Sequence, residues 1–254
     1  MEFFTAIART PGKSLCRALC NGEHGSPDPI RARAQHVDYV DALEEAGLAV
    51  TLLPSLEAFP DSVFVEDTAV VLDEAVVLCR PGAQSRRGEA KAMQGDLRAL
   101  EFEMENIRPP GSLDGGDVLR VGRRFFVGLS KRTNHAGLEQ FSAIVARHGF
   151  STQGVTITAG LHLKSHVCLV GRDTLLVAPV MADEPAFSGF SRLVVPENEG
   201  YAANCLVLND VVLIPAGFPA TAELLQDRGF RIKELDVGEF RRADGGLSCL
   251  SLRF

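Results

Sequence analysis

The sequence has no long apolar run and no paired cysteine motif, and these two absences narrow the classes of protein that it can encode. No stretch approaches the roughly 18 consecutive apolar residues of a membrane-spanning helix, so we expect no membrane partner. The six cysteines are scattered without a CxxC pair, which favours reduced thiols over a disulfide framework or a structural zinc site. Residues 1–9 contain an early acid and no apolar core of signal-peptide length. We therefore expect a cytoplasmic protein.

The sequence also lacks an excess of basic residues. Its 26 Lys and Arg against 33 Asp and Glu give a formal net charge of −7. This charge argues against a nucleic-acid partner and suits the attraction of a cationic small molecule. With 46% hydrophobic and 23% charged residues, the chain has ample material for a core. It shows no low-complexity segment and no linker, so we expect residues 1–254 to form a single domain.

A β-hairpin, a helix and a further strand recur along the chain. The intervals are roughly 40 to 50 residues and the unit recurs about five times, which is typical of a radial array of repeated units. The units share little sequence identity, so an ordinary mixed α+β domain is the alternative. Hairpins are predicted near 63–78, 117–128, 167–177 and 205–214, and helices at 30–46, 89–100, 134–149 and 221–229.

Three of the predicted helices end in the same way. Gly47, Gly149 and Gly229 each follow a helical pattern and precede an apolar residue that enters a strand. Glycine is favoured at this position because it adopts the left-handed conformation that ends a helix. Asn134 is likewise expected to cap the start of the third helix.

Acidic residues are concentrated where apolar strands begin. Asp61, Glu66 and Asp67 lie among strand-forming residues, which is not the pattern of a solvated charge run. Carboxylates that face an enclosed space attract a cation, and a planar guanidinium matches them with paired hydrogen bonds. Asp114 and Asp117 flank two glycines at another strand entrance, where the backbone can approach a ligand closely. Turn formation and helix capping are the alternative roles for each cluster.

One histidine and two arginines have positions that suit an amino-acid substrate. His162 lies between two leucines, and it could transfer protons near neutral pH if it faces a pocket. A hydrogen-bonded core histidine is the alternative. Arg86 and Arg132 could together bind a carboxylate, although an isolated arginine is usually a surface residue. Acids at one end and arginines at the other predict a free amino acid with a cationic side chain as the ligand.

The last turn of the chain places a thiol after two glycines. Residues 244–249 precede an apolar terminal strand, so the Cys249 sulfur is expected to emerge from a tight turn. A small buried hydrophobe is the alternative role for a lone cysteine. A thiolate that attacks a guanidinium carbon, with His162 as acid and base, would give covalent catalysis that requires no metal and no cofactor.

Several ordered motifs together resemble the dimethylarginine dimethylaminohydrolases. They are Phe-Pro-Asp-Ser-Val-Phe-Val-Glu-Asp at 59–67, Leu-Asp-Gly-Gly-Asp-Val at 113–118, His-Leu-Lys-Ser at 162–165, Ala-Ala-Asn-Cys at 202–205 and Asp-Gly-Gly-x-Ser-Cys at 244–249. The resemblance runs from the first strand to the last residue. It implies an α/β fold, the five-bladed α/β propeller of the guanidine-modifying penteins, built of ββαβ units around a central channel.

The resemblance also implies an activity, which is hydrolysis of asymmetric dimethylarginine or monomethylarginine to L-citrulline plus dimethylamine or methylamine. Cys249 is then the nucleophile of a covalent thiouronium intermediate, and His162 protonates the leaving amine before it activates water. Asp114 occupies the acid position that supports the histidine. Several relatives have Glu there, so the contact made by the shorter Asp114 stays open. No cofactor and no metal are implied.

The substrate-binding positions implied by the same resemblance are Leu19, Asp61, Glu66, Asp67, Arg86, Arg132 and Ala243. The three acids would hold the guanidinium and ammonium groups, with Asp67 at the guanidinium, and the two arginines would bind the carboxylate. Leu19 falls at a lid residue, and Ala243 where a backbone carbonyl meets the substrate. Relatives often pair through exposed strand edges, which favours a homodimer.

Arginine deiminase, on the same fold, is the main alternative activity. Deiminases have an acid two residues after the histidine, where this chain has Lys164. Without that carboxylate there is room for an alkylated nitrogen, which favours a methylated substrate. Deiminases and amidinotransferases are also usually longer. A non-catalytic pentein that only binds its ligand is the alternative from another class, but such a protein has no need of Cys249, His162 and the acids together.

Overall fold

Five small sheets, each of three strands, recur along the chain in the computed structural model, which describes residues 2–98 and 102–254. In each sheet the middle strand is antiparallel to the strand before it and parallel to the strand after it. The strands are β1 Thr5–Arg9, β2 Ala49–Leu53, β3 Ala69–Val71, β4 Ala75–Leu78, β5 Glu103–Asn106, β6 Val118–Val121, β7 Arg124–Leu129, β8 Ser151–Thr156, β9 Val167–Leu169, β10 Thr174–Val177, β11 Ser191–Val194, β12 Leu206–Leu208, β13 Val211–Pro215, β14 Arg231–Leu235 and β15 Ser251–Arg253.

The two ends of the chain share one sheet. The sheets are β3-β4-β5, β6-β7-β8, β9-β10-β11, β12-β13-β14 and β15-β1-β2, so the last strand pairs with the first. Ala6 to Ala8 pair with Arg253 to Ser251, and the Tyr39 hydroxyl lies 2.5 Å from the Ser251 hydroxyl behind this sheet. Pairing of the termini closes the array, and the predicted α/β propeller of five units is confirmed.

Helices connect the second and third strands of four sheets. The α-helices are α1 Pro29–Glu45, α2 Arg87–Leu97, α3 His135–Arg147, α4 Pro219–Asp227 and α5 Gly238–Arg241. Between β10 and β11 the chain forms two 3-10 turns that begin at Pro179 and Pro185, instead of a helix. Proline lacks the amide hydrogen that a continuing helix needs. The repeat of hairpin, helix and strand therefore holds in three units, and in a fourth the two chain ends form the antiparallel pair in place of a hairpin. The predicted end of α2 at Leu100 lies outside the described residues.

The predicted helix ends are confirmed by their backbone conformation. Gly47, Gly149 and Gly229 have φ values of +92°, +76° and +80°, in the left-handed region that favours glycine. After α1, the amide of Leu48 donates to the carbonyl of Leu43 at 3.1 Å, as in a Schellman-type end. At the start of α3, the Asn134 side chain accepts a hydrogen bond from the amide of Gly137.

Five 3-10 turns form the centre of the molecule, and we call them the central ring. They span Val65–Thr68, Gly115–Asp117, Leu163–Ser165, Glu197–Ala203 and Leu247–Leu250, and they lead into β3, β6, β9, β12 and β15. The first four turns contact one another in chain order, and the first contacts the last. Asn204, directly after the fourth turn, binds Ser248 of the fifth. The hairpin predicted near 63–78 is present but begins later than expected, because Val65–Thr68 form one of these turns and the first strand is Ala69–Val71.

The hydrophobic core is divided among the units. Separate clusters of buried side chains lie between the sheets and the helices or turns that cover them. The unit without a helix packs against its neighbour through Phe187 and Phe190: the ring of the fully buried Phe126 of β7 lies 5.2 Å from that of Phe187 and 5.7 Å from that of Phe190. No helix within residues 2–98 and 102–254 combines the length and apolar character that a bilayer span requires.

Truncating Phe126 to Ala should destabilise the protein by about 3–5 kcal/mol, because it removes a buried aromatic ring and leaves a cavity. Urea unfolding followed by circular dichroism measures this change. Phe4→Ala is the matched control, since the Phe4 side chain is 67% exposed, and it should shift the free energy of unfolding by less than about 0.5 kcal/mol. Equal effects of the two substitutions would refute this description of the core.

Candidate active site

The thiol of Cys249 is buried at the central ring in a turn that only glycines can build. A Cβ atom on Gly245 would lie 2.2 Å from the Phe64 ring, and one on Gly246 would lie 2.4 Å from the side-chain oxygen of Asn204. The Cys249 amide donates to the Gly246 carbonyl at 3.1 Å. The two glycines seen in the sequence therefore serve close packing around the thiol.

His162 lies directly before the 163–165 turn of the central ring and contacts two buried acids. Its Nε2 atom lies 3.0 Å from Asp114 Oδ2 and 3.9 Å from Asp67 Oδ1. Asp114 is itself fixed, because its Oδ1 atom accepts a hydrogen bond of 2.8 Å from the Gly82 amide. The shorter Asp114 thus reaches the histidine directly. Since Nε2 is engaged, Nδ1 is the ring nitrogen left for proton transfer.

These acids decide the protonation of His162. Burial opposes the imidazolium, but the charge of Asp67 and the hydrogen bond to Asp114 outweigh it and raise the pKa of His162 from 6.5 to about 9. At neutral pH the ring is therefore a cation with a proton to donate.

Burial and nearby acids keep the thiol protonated. Burial, followed by the charges of Glu66 and Asp67, raises the pKa of Cys249 from 9.0 to about 12. Lys164 acts in the opposite direction but does not compensate. A cation placed beside the sulfur would be needed to favour the thiolate near neutral pH.

Asp67 is a strongly acidic carboxyl group at the central ring. Burial would raise its pKa, but His162 and Arg86 outweigh burial and hold the pKa of Asp67 at about 2. Its Oδ2 atom lies 2.5 Å from Arg86 Nη1, and its Oδ1 atom accepts from the Gly116 amide at 2.9 Å. Asp67 is therefore a fixed negative charge beside the histidine.

Arg86 lies behind Asp67, away from solvent. Its Nε and Nη2 atoms both donate to Glu89, and Nη2 also lies within hydrogen-bond distance of the carbonyls of Asp61 and Phe64. The Arg86 residue is 3% exposed, and most of its guanidinium donors are engaged by the protein. In this arrangement Arg86 orients Asp67, and its predicted contact with a substrate carboxylate stays a prediction.

Arg132 presents a free donor at the same site. Its Nη1 atom is buried, lies 4.0 Å from Asp114 Oδ2 and has no hydrogen-bond partner among the described residues. A buried guanidinium nitrogen without a partner is costly unless a ligand completes it. Of the two predicted carboxylate-binding arginines, Arg132 is the one with a donor available.

Glu66 belongs to a cluster that supports the Cys249 turn. Its Oε1 atom binds Lys164 Nζ at 2.7 Å and Arg253 Nη2 at 2.9 Å, and its Oε2 atom accepts from the Ser248 hydroxyl at 3.0 Å. With two cations on one oxygen and a hydroxyl on the other, Glu66 is engaged by the protein. The motif at 244–249 contains Ser248, but no sequence pattern pointed to its bond with Glu66 or to Arg253.

Leu19 and Asp61 form a contact at the edge of the site. The Leu19 amide donates to Asp61 Oδ1 at 3.0 Å, while the Leu19 side chain is 40% exposed. Burial raises the pKa of Asp61 above its usual value of 3.8. Two residues on, the Asn21 amide donates to Asp244 Oδ2 at 2.7 Å. Hydrogen bonds to both sides of the site therefore hold the segment that includes the predicted lid residue.

A cavity of about 890 Å³ opens beside this segment, next to the Cys249 turn. Asn21 and His24 line one side, and Asn204, Gly245 and Gly246 line another. Ala243, predicted to present its carbonyl, is buried directly before Asp244, which has a φ of +55°. The cavity thus adjoins the predicted carbonyl position and both glycines.

Asp67, Asp114 and His162 place potential ligand atoms within 4.8 Å of one another. The oxygens of both acids already accept hydrogen bonds from Arg86, Gly116, Gly82 or His162. These contacts suit a role for the three side chains in proton transfer and in binding an organic cation, without a metal ion.

Comparison with known proteins gives consistent matches over the whole chain. Residues 26–185 match the model of the family described as N,N dimethylarginine dimethylhydrolase, eukaryotic. The chain is 42% identical to the N(G),N(G)-dimethylarginine dimethylaminohydrolase of Pseudomonas aeruginosa, over 98% of each chain. It is 36% identical to the enzyme of that name from Streptomyces coelicolor, over 98% of this chain and 96% of that one.

Solved structures give the same relationship. A variant of the Pseudomonas aeruginosa enzyme complexed with citrulline has a TM-score of 0.98 at 40% identity and is covered, like this chain, over 100% of its length. The N-terminal domain of a cyanobacterial arginine dihydrolase has a TM-score of 0.87 at 22% identity, covering 99% of this chain and 97% of that one. The second likeness is one of fold.

His162 and His36 should titrate at opposite ends of the pH range. The pKa of His162 is raised to about 9, whereas burial beside Tyr39 and Phe240 lowers the pKa of His36 to about 4. Nuclear magnetic resonance of the ring nitrogens, assigned with His162→Asn, should show one charged and one neutral ring at pH 7.5. A His162 ring that titrates near 6.5 would contradict this description.

The same shift predicts how stability depends on pH. A raised folded-state pKa gives stability that is fully present below pH 6.5 and is lost as the pH rises through 9. Relative to His162→Asn, the free energy of unfolding of the parent should therefore fall by on the order of 2–3 kcal/mol between pH 6.5 and 9. Chemical denaturation at the two pH values measures this, and parallel changes in both proteins would exclude the shift.

Proposed function

The chain belongs to the dimethylarginine dimethylaminohydrolase family, and from this we propose that it hydrolyses Nω-methylated L-arginine to L-citrulline and dimethylamine or methylamine. The observation that best supports the proposal is that Asp67, Asp114 and His162 meet at the central ring. The buried thiol of Cys249 lies on the 247–250 turn, which contacts the 65–68 turn of Asp67. We propose Cys249 as nucleophile, His162 as acid and base, and Asp114 as the acid that orients His162.

The first half of the reaction uses the electrostatics of the resting site. The guanidinium of the substrate binds beside Asp67, and its positive charge promotes loss of the Cys249 proton to solvent. The thiolate attacks the guanidinium carbon while the His162 imidazolium donates its proton to the methylated nitrogen. The C–N bond breaks, neutral dimethylamine leaves, and a positively charged thiouronium remains on Cys249.

The second half restores the enzyme. His162, now neutral, takes a proton from water as the hydroxide adds to the thiouronium carbon. The C–S bond breaks as the hydroxyl proton is released, which yields citrulline and the Cys249 thiolate. The thiolate then regains a proton from solvent, and the dimethylamine takes up the proton that remains. The raised pKa of His162 suits it to the first, proton-donating half, and its hydrogen bond to Asp114 keeps the ring oriented through both.

The other end of the substrate carries an α-ammonium and an α-carboxylate group, and the site has a negatively charged and a positively charged side chain that can bind them. We assign Asp61 and the Ala243 carbonyl to the ammonium, because one oxygen of Asp61 already accepts from Leu19 and the other is left for a ligand. Arg132 is assigned to the carboxylate through its unpartnered nitrogen. Arg86 and Glu66 then act by positioning Asp67 and the Cys249 turn, and Leu19 acts as the lid residue.

A methylated substrate is favoured over arginine by the surroundings of Lys164. This residue occupies the position at which arginine deiminases have an acid, and its ammonium lies 2.7 Å from Glu66. The additional N–H donors of an unmethylated guanidinium would therefore lack the second carboxylate that binds them in deiminases, whereas an alkylated nitrogen has fewer protons to donate and does not need it.

We propose further that residues 1–254 act as one catalytic domain, because the site residues come from the turns of several sheets. The protein is proposed to act in the cytoplasm on a small molecule, with no nucleic-acid or membrane partner. Pairing through the outer strands is proposed for a homodimer, since Leu52 of β2 is 51% and Val194 of β11 43% exposed.

Arginine, monomethylarginine and asymmetric dimethylarginine should be offered side by side, with the released amine identified. We expect citrulline with methylamine or dimethylamine from the methylated substrates. Cys249→Ser should abolish turnover while circular dichroism shows an intact fold, because a hydroxyl is a far weaker nucleophile at neutral pH. Ammonia from arginine as the main product would favour the deiminase, and appreciable citrulline from Cys249→Ser would exclude the assigned nucleophile.

The pKa of Cys249, about 12 in the free protein, should fall when a cationic ligand binds. Thiolate absorbance, measured as the difference between the parent and Cys249→Ser, reports this titration with and without a guanidinium ligand that is not turned over. Citrulline is the matched control because it has the same shape without the charge. An unchanged thiol pKa with the cation, or an equal shift with citrulline, would contradict substrate-assisted deprotonation.

A further inference from the structure

The Ala-Ala-Asn-Cys motif at 202–205 has no part in the chemistry described above, yet its asparagine lies at the centre of the molecule. Asn204 follows the 197–203 turn of the central ring and is 4% exposed. It lies between the turn that follows His162 and the turn that contains Cys249.

The Asn204 side chain makes three hydrogen bonds to these two turns. Its Nδ2 atom donates to the Lys164 carbonyl at 2.9 Å and to the Ser248 hydroxyl at 3.2 Å. Its Oδ1 atom accepts from the Ser248 amide at 3.2 Å. The two backbone partners have fixed polarity, one an acceptor and the other a donor, so the orientation of the amide is determined.

The bonds of Asn204 reach the residues directly beside the reacting groups. Ser248 precedes Cys249, and Lys164 is two residues after His162. The Ser248 hydroxyl passes the bond on to Glu66, so the chain of contacts runs from the Lys164 carbonyl through Asn204 and Ser248 to Glu66. The Asn204 side chain therefore connects the backbone segment that carries His162 with the one that carries Cys249.

Two aspartates of the central ring also accept a hydrogen bond from an amide of the next turn, and comparison with them shows what is different about Asn204. Asp67 accepts from the Gly116 amide of the next turn, and Asp117 accepts from the Leu163 amide of the turn after that. A carboxylate can accept but cannot donate. Asn204 faces a carbonyl, that of Lys164, as well as an amide, that of Ser248. A neutral side-chain amide can donate to the first and accept from the second, which a carboxylate cannot do.

The adjacent backbone is shaped around this amide. A Cβ on Gly246 would lie 2.4 Å from Asn204 Oδ1 and 2.6 Å from its Cγ, so the glycine leaves the space that the amide fills. Tyr201, three residues earlier, donates its hydroxyl to the Gly245 carbonyl at 2.9 Å. The 201–204 segment thus holds the glycine pair and Ser248 from one side.

We propose that Asn204 is a positioning residue that fixes the separation and orientation of His162 and Cys249 by binding the Lys164 carbonyl and both polar groups of Ser248. This role deepens the proposed function, on which it rests. A displacement of about 1 Å between reacting groups can cost on the order of 100-fold in rate. Asn204 is therefore expected to act mainly on kcat.

Asn204→Asp tests this role without creating a cavity, because it replaces the donating amide by an isosteric carboxylate facing the Lys164 carbonyl. Asn209→Asp is the matched control. Asn209 also accepts from one amide, that of Phe3, and donates to two backbone carbonyls, those of Phe3 and Ala46, but it lies in the β12–β13 turn away from the site. Asn204→Ala, which adds no charge, completes the set.

Release of dimethylamine from asymmetric dimethylarginine should be measured from pH 6 to 10, with the melting temperature of each variant. Both Asn204 variants should lose about 10- to 100-fold in kcat with KM changed less than about threefold, whereas Asn209→Asp should keep kcat within about twofold. The loss in Asn204→Ala should persist at every pH, because misalignment cannot be reversed by ionising the thiol.

The experiment distinguishes failure of the proposed function from failure of the positioning role of Asn204. A parent protein that releases no dimethylamine overturns the proposed function itself. An active parent with fully active Asn204 variants, equal losses at Asn204 and Asn209, or losses in Asn204→Ala that vanish at high pH overturn the positioning role. Should Asn204→Asp not fold, Asn204→Ser takes its place, and failure of all three Asn204 variants to fold would assign the residue to folding alone.

Discussion

Hydrogen bonds between the turns of the central ring are the constraint on which the site depends. The propeller brings five strand entrances together, but packing of apolar strands alone would leave their turns free to shift. Asp67, Asp117 and Asn204 each accept an amide hydrogen from another turn, and Ser248 donates to Glu66 to close the series. These groups are buried, so an unmade bond would cost about 1–3 kcal/mol. The ring therefore has one low-energy arrangement, and this arrangement determines where His162 and Cys249 lie.

The charges of the ring give the resting protein its chemical bias. Asp67 and Asp114 favour a cation on His162, while Glu66 and Asp67 disfavour an anion on Cys249. The free site therefore holds a protonated acid and an unreactive thiol, with the negative charge of Asp67 able to attract a positive ligand. A guanidinium substrate supplies the charge that completes this arrangement. The thiol consequently becomes nucleophilic when the correct ligand is present, which protects a buried cysteine from unwanted reactions.

The sequence predicted the repeated units, the glycine helix ends and the Asn134 cap, because periodicity and capping are local properties of the chain. It did not predict the two 3-10 turns in place of a helix between β10 and β11, or the turn that begins at Val65. The motifs brought Asp114 and His162 into one hypothesis, and the structure places them 3.0 Å apart. Local patterns could not show that Arg86 faces Asp67 and Glu89, or that Asn204 joins two turns 40 and 44 residues away. Such pairings depend on how the five units close.

Mass spectrometry of the protein quenched during its first turnover of asymmetric dimethylarginine tests the central claim most directly. A covalent mechanism at the ring predicts a mass increase equal to the substrate less dimethylamine, on the peptide that contains Cys249. The increase should appear as dimethylamine is released and decline as citrulline forms. An adduct on any other residue, or citrulline that accumulates while Cys249 stays unmodified throughout the first turnover, would contradict the account.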